Sequence, residues 1–168
     1  MKKVIIVVIV VVFHFSWAFT QMAPKVSNKD FKSLSGEWKG KLTYLDYSSN
    51  KPFTMPAEIN INRIGKSNMY LLAHKYPNEP KANSYDTMII STDGRKIDEE
   101  TIISKRTLDH NTIEIVTQKP GKDGNDNKPA LIKHTYSIGK LNYKTTKEVQ
   151  FVGETKWIKR NEFSYVRK

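Results

Sequence analysis

The chain contains no cysteine, so disulfides, thiolate metal sites and thiol catalysis are excluded. It also lacks a Gly-x-Ser-x-Gly motif and a phosphate-binding loop, and its four histidines show no metal-ligand spacing such as His-x-His. No paired carboxylates stand out as an acid and a base. We therefore predict no catalytic residues, no metal site and no cofactor.

The first residues have the pattern of an export signal. Met1-Lys2-Lys3 precedes the apolar run Val4–Phe13, and small residues stand at Ser16 and Ala18. The apolar run is shorter than the roughly 20 residues that a membrane-spanning helix needs. We therefore predict a signal peptide over residues 1–18 and no membrane span after its cleavage. Export without cysteine is typical of a bacterial periplasmic or secreted protein.

Acidic residues are scarce. The chain has 17 aspartates and glutamates against 28 lysines and arginines, a formal net charge of +11. Basic residues such as Lys39, Lys41, Lys105 and Lys156 are scattered, which is typical of a solvated face that protects sheet edges. Such a surface would also attract an anionic envelope component. Export and the lack of an aromatic-basic motif argue against nucleic acid.

The hydrophobic pattern beyond residue 36 has a period of two, which indicates strands. Turn residues separate the runs, and Asp93-Gly94 is the strongest hairpin signal because that turn needs positive φ. The segment 119–129 is polar and rich in glycine and proline, and we expect a surface loop there. We predict ten strands, at 37–47, 54–64, 68–76, 84–91, 95–98, 100–107, 111–118, 130–138, 141–151 and 156–166.

Consecutive short strands with tight connections favour an all-β antiparallel meander. Its exposed edges have to be hidden, either by closing a β-barrel of about 8–10 strands or by stacking two sheets. The barrel is our prediction. A β-sandwich with Trp38 in its core is the alternative that strand patterning leaves open.

The stretch Leu34-x-Gly36-x-Trp38 resembles the first-strand motif of the calycins, the superfamily of lipocalins and fatty-acid-binding proteins. The helix-free strand pattern is also similar to the nitrobindin-type barrels. The resemblance implies that Trp38 closes one barrel end, with Arg167 of the last strand across its indole ring. Gly36 would let the backbone pass close to that end. It implies a barrel domain over residues 34–168, preceded by a segment over residues 19–33.

A lipocalin-like barrel implies a small apolar or amphipathic ligand in the lumen, bound without covalent chemistry. Aromatic residues occur in nearly every predicted strand and suit such a cavity. Asp46 shares the parity of Trp38, so we expect it on the inner face, paired with Arg160, with another basic residue or with water at the barrel mouth. Our candidate ligand contacts are Tyr44, Asp46, Tyr70, Tyr136 and Tyr143.

Two other functions fit the same pattern. The aromatic residues would equally fill a solid core, which would make the protein an interaction module for an anionic envelope partner. A haem-binding barrel would need His74, His110 or His134 at the cavity wall.

Overall fold

The computed structural model describes residues 23–168, so the predicted signal peptide lies outside the described residues. More than half of these residues lie in strands, and the one helix among them is a short 3-10 helix at Pro80–Ala82. The ten strands are β1 (Gly36–Leu45), β2 (Pro52–Arg63), β3 (Met69–Lys75), β4 (Ser84–Ile89), β5 (Lys96–Ile97), β6 (Glu100–Asp109), β7 (Thr112–Asp123), β8 (Lys128–Ile138), β9 (Asn142–Phe151) and β10 (Ile158–Arg167).

The strands form one antiparallel sheet in the order β4-β3-β2-β1-β10-β9-β8-β7-β6-β5. The first and last strands pair, with Trp38 opposite Arg167, and a bridge between Ile90 and Ile97 joins the two ends of the sheet. The result is a nearly closed ten-stranded barrel. It confirms the predicted all-β antiparallel meander and excludes the sandwich, which would need two stacked sheets.

Alternation of side chains sets the inside of the barrel. On β2, the side chains of Met55, Ala57, Ile59 and Ile61 are buried, while the residues between them are less so. Successive residues of a strand point to opposite faces, so this pattern turns one face of β2 inward. The repeated burial of inward apolar groups is the main driving force for closing the sheet.

The barrel wall is incomplete between β4 and β7. The strand β5 has only two residues, and β6 does not begin until Glu100. Beyond Gln118, which lies opposite Thr101, β7 continues to Asp123 with β8 as its partner. The predicted loop over 119–129 is therefore wrong, since only residues 124–127 lie outside strands. A strand with one free edge tolerates proline, which explains Pro120.

Residues that precede the first strand seal one end of the barrel. Val26, Phe31 and Leu34 are buried in the same hydrophobic cluster as Trp38 and Tyr70. Successive turns shape this segment, and the Val26 N–H donates to the Gly94 carbonyl at 2.8 Å. Residues 23–33 of the predicted N-terminal segment thus pack directly on the barrel.

A buried ion network lies near the opposite end. The Asp123 carboxylate accepts from Arg160 Nε at 2.6 Å and from Lys147 Nζ at 3.0 Å. Burial would raise the pKa of Asp123, but the two cations outweigh it and lower that pKa. A second small hydrophobic cluster lies on β8 and β9, formed by Ala130, Ile132 and Val149 with Phe151 packed against it.

Candidate functional site

The barrel interior contains a cavity of about 280 Å³. Strands β2, β3, β4 and β6 to β10 all contribute to its wall. Asp86 and Asp98 are the exposed members of the lining, so they mark the mouth, beside the incomplete part of the wall. The remaining lining residues are Ile59, Leu72, His74, Thr87, Met88, Glu100, Lys119, His134, Tyr136, Tyr143, Thr145, Phe163 and Tyr165.

One wall of the cavity is a row of stacked aromatic rings. Tyr143 and Tyr165 have centroids 5.9 Å apart and ring planes within 13°, and Tyr165 and Phe163 are 5.8 Å apart and within 12°. His74 continues the row, with its ring 5.9 Å from that of Phe163. Such a wall offers an aromatic, largely apolar surface against which a guest can pack.

A hydrogen-bonded carboxylate lies on the side of β6 and β7. Glu100 accepts from Thr117 Oγ1 at 2.5 Å and lies 2.8 Å from His134 Nδ1, while Lys119 Nζ is 3.3 Å away. Burial would raise the pKa of Glu100, but the hydrogen bonds from His134 and Thr117 and the charges of His134 and Lys119 lower it. Glu100 is therefore ionised and fully partnered.

The two carboxylates at the mouth differ from Glu100. Asp98 accepts the Ile89 N–H at 2.7 Å and Asp86 accepts the Thr87 N–H at 2.7 Å. Within residues 23–168, neither carboxylate has a basic side chain within 4.0 Å. Burial, followed by the charges of Asp86 and Glu100, raises the pKa of Asp98. The mouth therefore carries negative charge that the protein does not neutralise.

Two buried polar atoms in the lining have no hydrogen-bond partner among the described residues: His74 Nδ1 and the Tyr165 hydroxyl. Tyr165 is only 3% exposed. Burial lowers the pKa of His74, which Asp86 partly opposes, and burial raises the pKa of Tyr165. Both groups are therefore uncharged near neutral pH and can donate or accept one hydrogen bond each.

The structure brings only part of the predicted ligand set to this cavity. Tyr136 and Tyr143 line it. Tyr44 lies beyond it, with its ring 5.5 Å from that of Phe53, and Tyr70 is buried in the closed end, 5.9 Å from Phe31.

The predicted inward position of Asp46 is wrong. The residue follows the end of β1, and its carboxylate accepts hydrogen bonds from Ser48 and Ser49 in an exposed turn. These bonds, chiefly that from the Ser49 hydroxyl, lower its pKa to about 2. Arg160, the expected partner of Asp46, pairs with Asp123 instead. The alternation of β1 stops at Leu45, so parity no longer applies to Asp46.

The closure residues lie together at the sealed end. Trp38 is fully buried, its Nε1 donates to the Leu34 carbonyl at 2.8 Å, and the Arg167 guanidinium lies 4.1 Å from its ring centroid. Arg167 also donates to the carbonyls of Ser33, Ser35 and Lys140. Gly36 has φ of 131°, and a Cβ there would lie 2.5 Å from Arg167 Nη1. That position therefore requires glycine.

Sequence reasoning missed Asp98 and Glu100 as lumen residues. Asp98 lies in the turn after β5, and Glu100 is the first residue of β6, so neither stands within a long alternating run. The available signal was the short spacing between the Asp93-Gly94 turn and β6, which leaves room for only a two-residue strand before the chain turns again at Asp98. His74 and His134 line the cavity, whereas His110 is exposed in the turn between β6 and β7.

Comparisons with known proteins bear on the fold. No protein-family model matches the chain, and no curated protein matches it in sequence. The crystal structure of Rv2717c from M. tuberculosis matches with a TM-score of 0.55 at 13% identity, over 83% of this chain and 96% of that one. The structure of BF2706 from Bacteroides fragilis matches with a TM-score of 0.36 at 11% identity, over 82% of this chain and 52% of that one. The first similarity supports the barrel fold.

Two further observations concern residues 23–168. None of the helices in this range has the length and apolar character to cross a membrane. No group of three or more histidine, aspartate or glutamate side chains there has the geometry of a metal site.

Proposed function

We propose that this protein is an exported, lipocalin-like barrel that binds a small amphipathic molecule in its lumen without covalent chemistry. The observation that carries the proposal is the 280 Å³ cavity, which combines an aromatic wall with the unpartnered Tyr165 hydroxyl and His74 Nδ1. A buried polar group without a partner costs about 1–3 kcal/mol. A guest with a hydrogen-bonding group would remove that cost.

The size of the lumen limits the guest. At about 30 Å³ for each water, 280 Å³ corresponds to roughly nine waters. This is near the lower end of ligand pockets, which span about 300–1,000 Å³. The guest is therefore a compact molecule, and the far larger haem macrocycle is disfavoured. Burial of its apolar surface would drive binding at about 25 cal/mol per Å², before the costs of association.

Native mass spectrometry tests this function. The protein would be purified gently from the cells that make it, and its native mass compared with its denatured mass. We expect an added mass that leaves on denaturation and identifies the guest by weight. A bare native mass in repeated preparations would contradict the proposal.

Basic side chains on the outer wall support a second candidate function, the binding of an anionic envelope polymer. A shallow groove over Gly40 is lined by Lys39, Lys41 and Lys144, with Val166 partly exposed beside them. Binding to dextran sulfate would test it. We expect binding that high salt abolishes and that a Lys39→Gln, Lys41→Gln double variant weakens. Unchanged binding in that variant would exclude this groove.

A further inference from the structure

We infer that the guest of the lumen is an organic cation, an amine with a flat apolar body whose ammonium group lies between Asp98 and Asp86 at the mouth. This inference rests on the proposed function and names the chemical class of its ligand. Three independent features of the cavity lead to it: the arrangement of its charges, its aromatic wall and its unpartnered buried polar atoms.

The charges of the cavity are unbalanced. Three carboxylates line it, Asp86, Asp98 and Glu100, against two basic side chains, Lys119 and His134, that both lie on Glu100. Lys119 is engaged with Glu100, which His134 and Thr117 also bind. The two aspartates at the mouth accept only backbone N–H groups from the described residues. A basic protein thus presents an acidic entrance, which attracts a cation and repels an anion.

The carboxylates of the lining repel one another. Burial raises the pKa of Asp98 most, the hydrogen bond from the Ile89 N–H lowers it, and the charges of Asp86 and Glu100 raise it further against the smaller effect of Lys119. A cation between Asp98 and Asp86 would relieve that repulsion. The protein therefore holds negative charge at the mouth in an arrangement that a positive guest stabilises.

The inner part of the cavity specifies the rest of the guest. The rings of Tyr143, Tyr165 and Phe163 give this part of the lining an aromatic surface against which an aromatic or planar apolar body can pack. Aromatic residues also attract cations through their ring faces. The unpartnered Tyr165 hydroxyl and His74 Nδ1 are buried in the same lining and would bind a polar substituent on that body.

Three probes of similar size and different charge test the inference. They are 2-phenylethylamine, the neutral 2-phenylethanol and the anionic 3-phenylpropionate, each titrated calorimetrically into the full protein. We expect the amine to bind at least about tenfold more tightly than the alcohol, because its ammonium group forms charge-assisted hydrogen bonds with the carboxylates, and the acid to bind least. High salt should narrow the difference between amine and alcohol.

Variants of the two aspartates test whether the preference for the amine arises at the mouth. Asp98→Asn and Asp86→Asn keep the shape of each side chain, and each should reduce the preference for the amine to about threefold or less, because one charge is lost. Asp126→Asn, at an exposed aspartate in the loop after β7, is the matched control and should leave the preference unchanged. Thermal unfolding would show that each variant is folded.

The outcomes separate the two proposals. If the alcohol binds as tightly as the amine, or more tightly, the cation inference is overturned while lumen binding stands. If all three probes fail to bind at millimolar concentration, both proposals fall. An amine preference that survives in both the Asp98→Asn and the Asp86→Asn variants would also overturn the assignment to the mouth.

Discussion

The sealed end around Trp38 and the lumen behind Asp98 belong to one barrel, yet the polar groups of the sealed end have hydrogen-bond partners and two of those in the lumen do not. At the sealed end, Trp38 Nε1 binds the Leu34 carbonyl and Arg167 binds three further carbonyls. In the lumen, the Tyr165 hydroxyl and His74 Nδ1 have no partner. Full pairing at one end and incomplete pairing at the other distinguish a structural closure from a binding cavity.

The packing of the two regions differs in the same sense. Trp38, Phe31 and Leu34 are at most 1% exposed and fill the sealed end. The lumen keeps a 280 Å³ cavity although aromatic side chains surround it. Protein interiors are normally close-packed, so a cavity of this size sets the lumen apart from the core around Trp38. The comparison predicts that changes at the sealed end alter stability, while changes at the mouth alter binding.

Replacing Trp38 with alanine should have the largest effect. We expect the Trp38→Ala variant to lose about 3–5 kcal/mol of unfolding free energy, because it removes a fully buried indole and the ring under Arg167. Urea unfolding would measure this. Tyr85→Ala, at a side chain 79% exposed, should change stability by no more than about 0.5 kcal/mol. Equal losses in the two variants would contradict the closure role of Trp38.

Glu100→Gln should show a pH dependence. The pKa of Glu100 is lowered on folding, so its charge stabilises the fold above the pKa of the unfolded chain, about 4.3. That contribution disappears as pH falls through the lower folded pKa. We expect the variant to be about 1–3 kcal/mol less stable at neutral pH. In acid, Glu100→Gln and the unchanged protein should have the same unfolding free energy.

Urea unfolding at a series of pH values would follow this difference. Glu99→Gln is the matched control, because the exposed neighbour of Glu100 carries the same charge. A deficit of Glu100→Gln that stays constant from neutral pH into strong acid would show that its charge is not the source of the stabilisation.

Arg167→Lys tests the planar fork of the guanidinium at the sealed end. Lysine keeps the charge near Trp38 but cannot reach the carbonyls of Ser33, Ser35 and Lys140 together. We expect a loss of about 1–2 kcal/mol by urea unfolding. Arg106→Lys, at an exposed arginine, should be nearly neutral. Equal losses of unfolding free energy in these two variants would show that Arg167 stabilises the fold no more than an exposed surface arginine does.

Asp98→Asn should have the smallest effect on stability, and in the opposite direction. Folding raises the pKa of Asp98, so its ionised form destabilises the fold at neutral pH. Removing that charge at a partly exposed site should raise the unfolding free energy by less than about 0.5 kcal/mol. The same variant should bind 2-phenylethylamine less tightly. A lower unfolding free energy of this variant would mean that Asp98 stabilises the fold and is not held at the mouth for binding.

Much of the barrel could be predicted from the sequence, because period-two alternation and the Asp93-Gly94 turn are local signals. The positions of side chains along the barrel axis could not be predicted in this way. Alternation gives the face of a side chain but not its height, so Tyr44 and Tyr70 shared the inward parity of Tyr143 and yet lie outside the cavity. The part of β7 that contains Pro120 was missed because its free edge depends on where the neighbouring strand β6 stops pairing with it.

Filling the lumen tests the central claim most directly. Leu72 lines the cavity, whereas its neighbour Leu71 lies on the outer face of β3 and is 36% exposed. We would titrate 2-phenylethylamine into Leu72→Trp and Leu71→Trp by calorimetry, after checking that both unfold cooperatively. The account predicts that Leu72→Trp abolishes binding and that Leu71→Trp binds as the unchanged protein does. Equal binding by both variants would place the ligand outside the lumen and contradict the account.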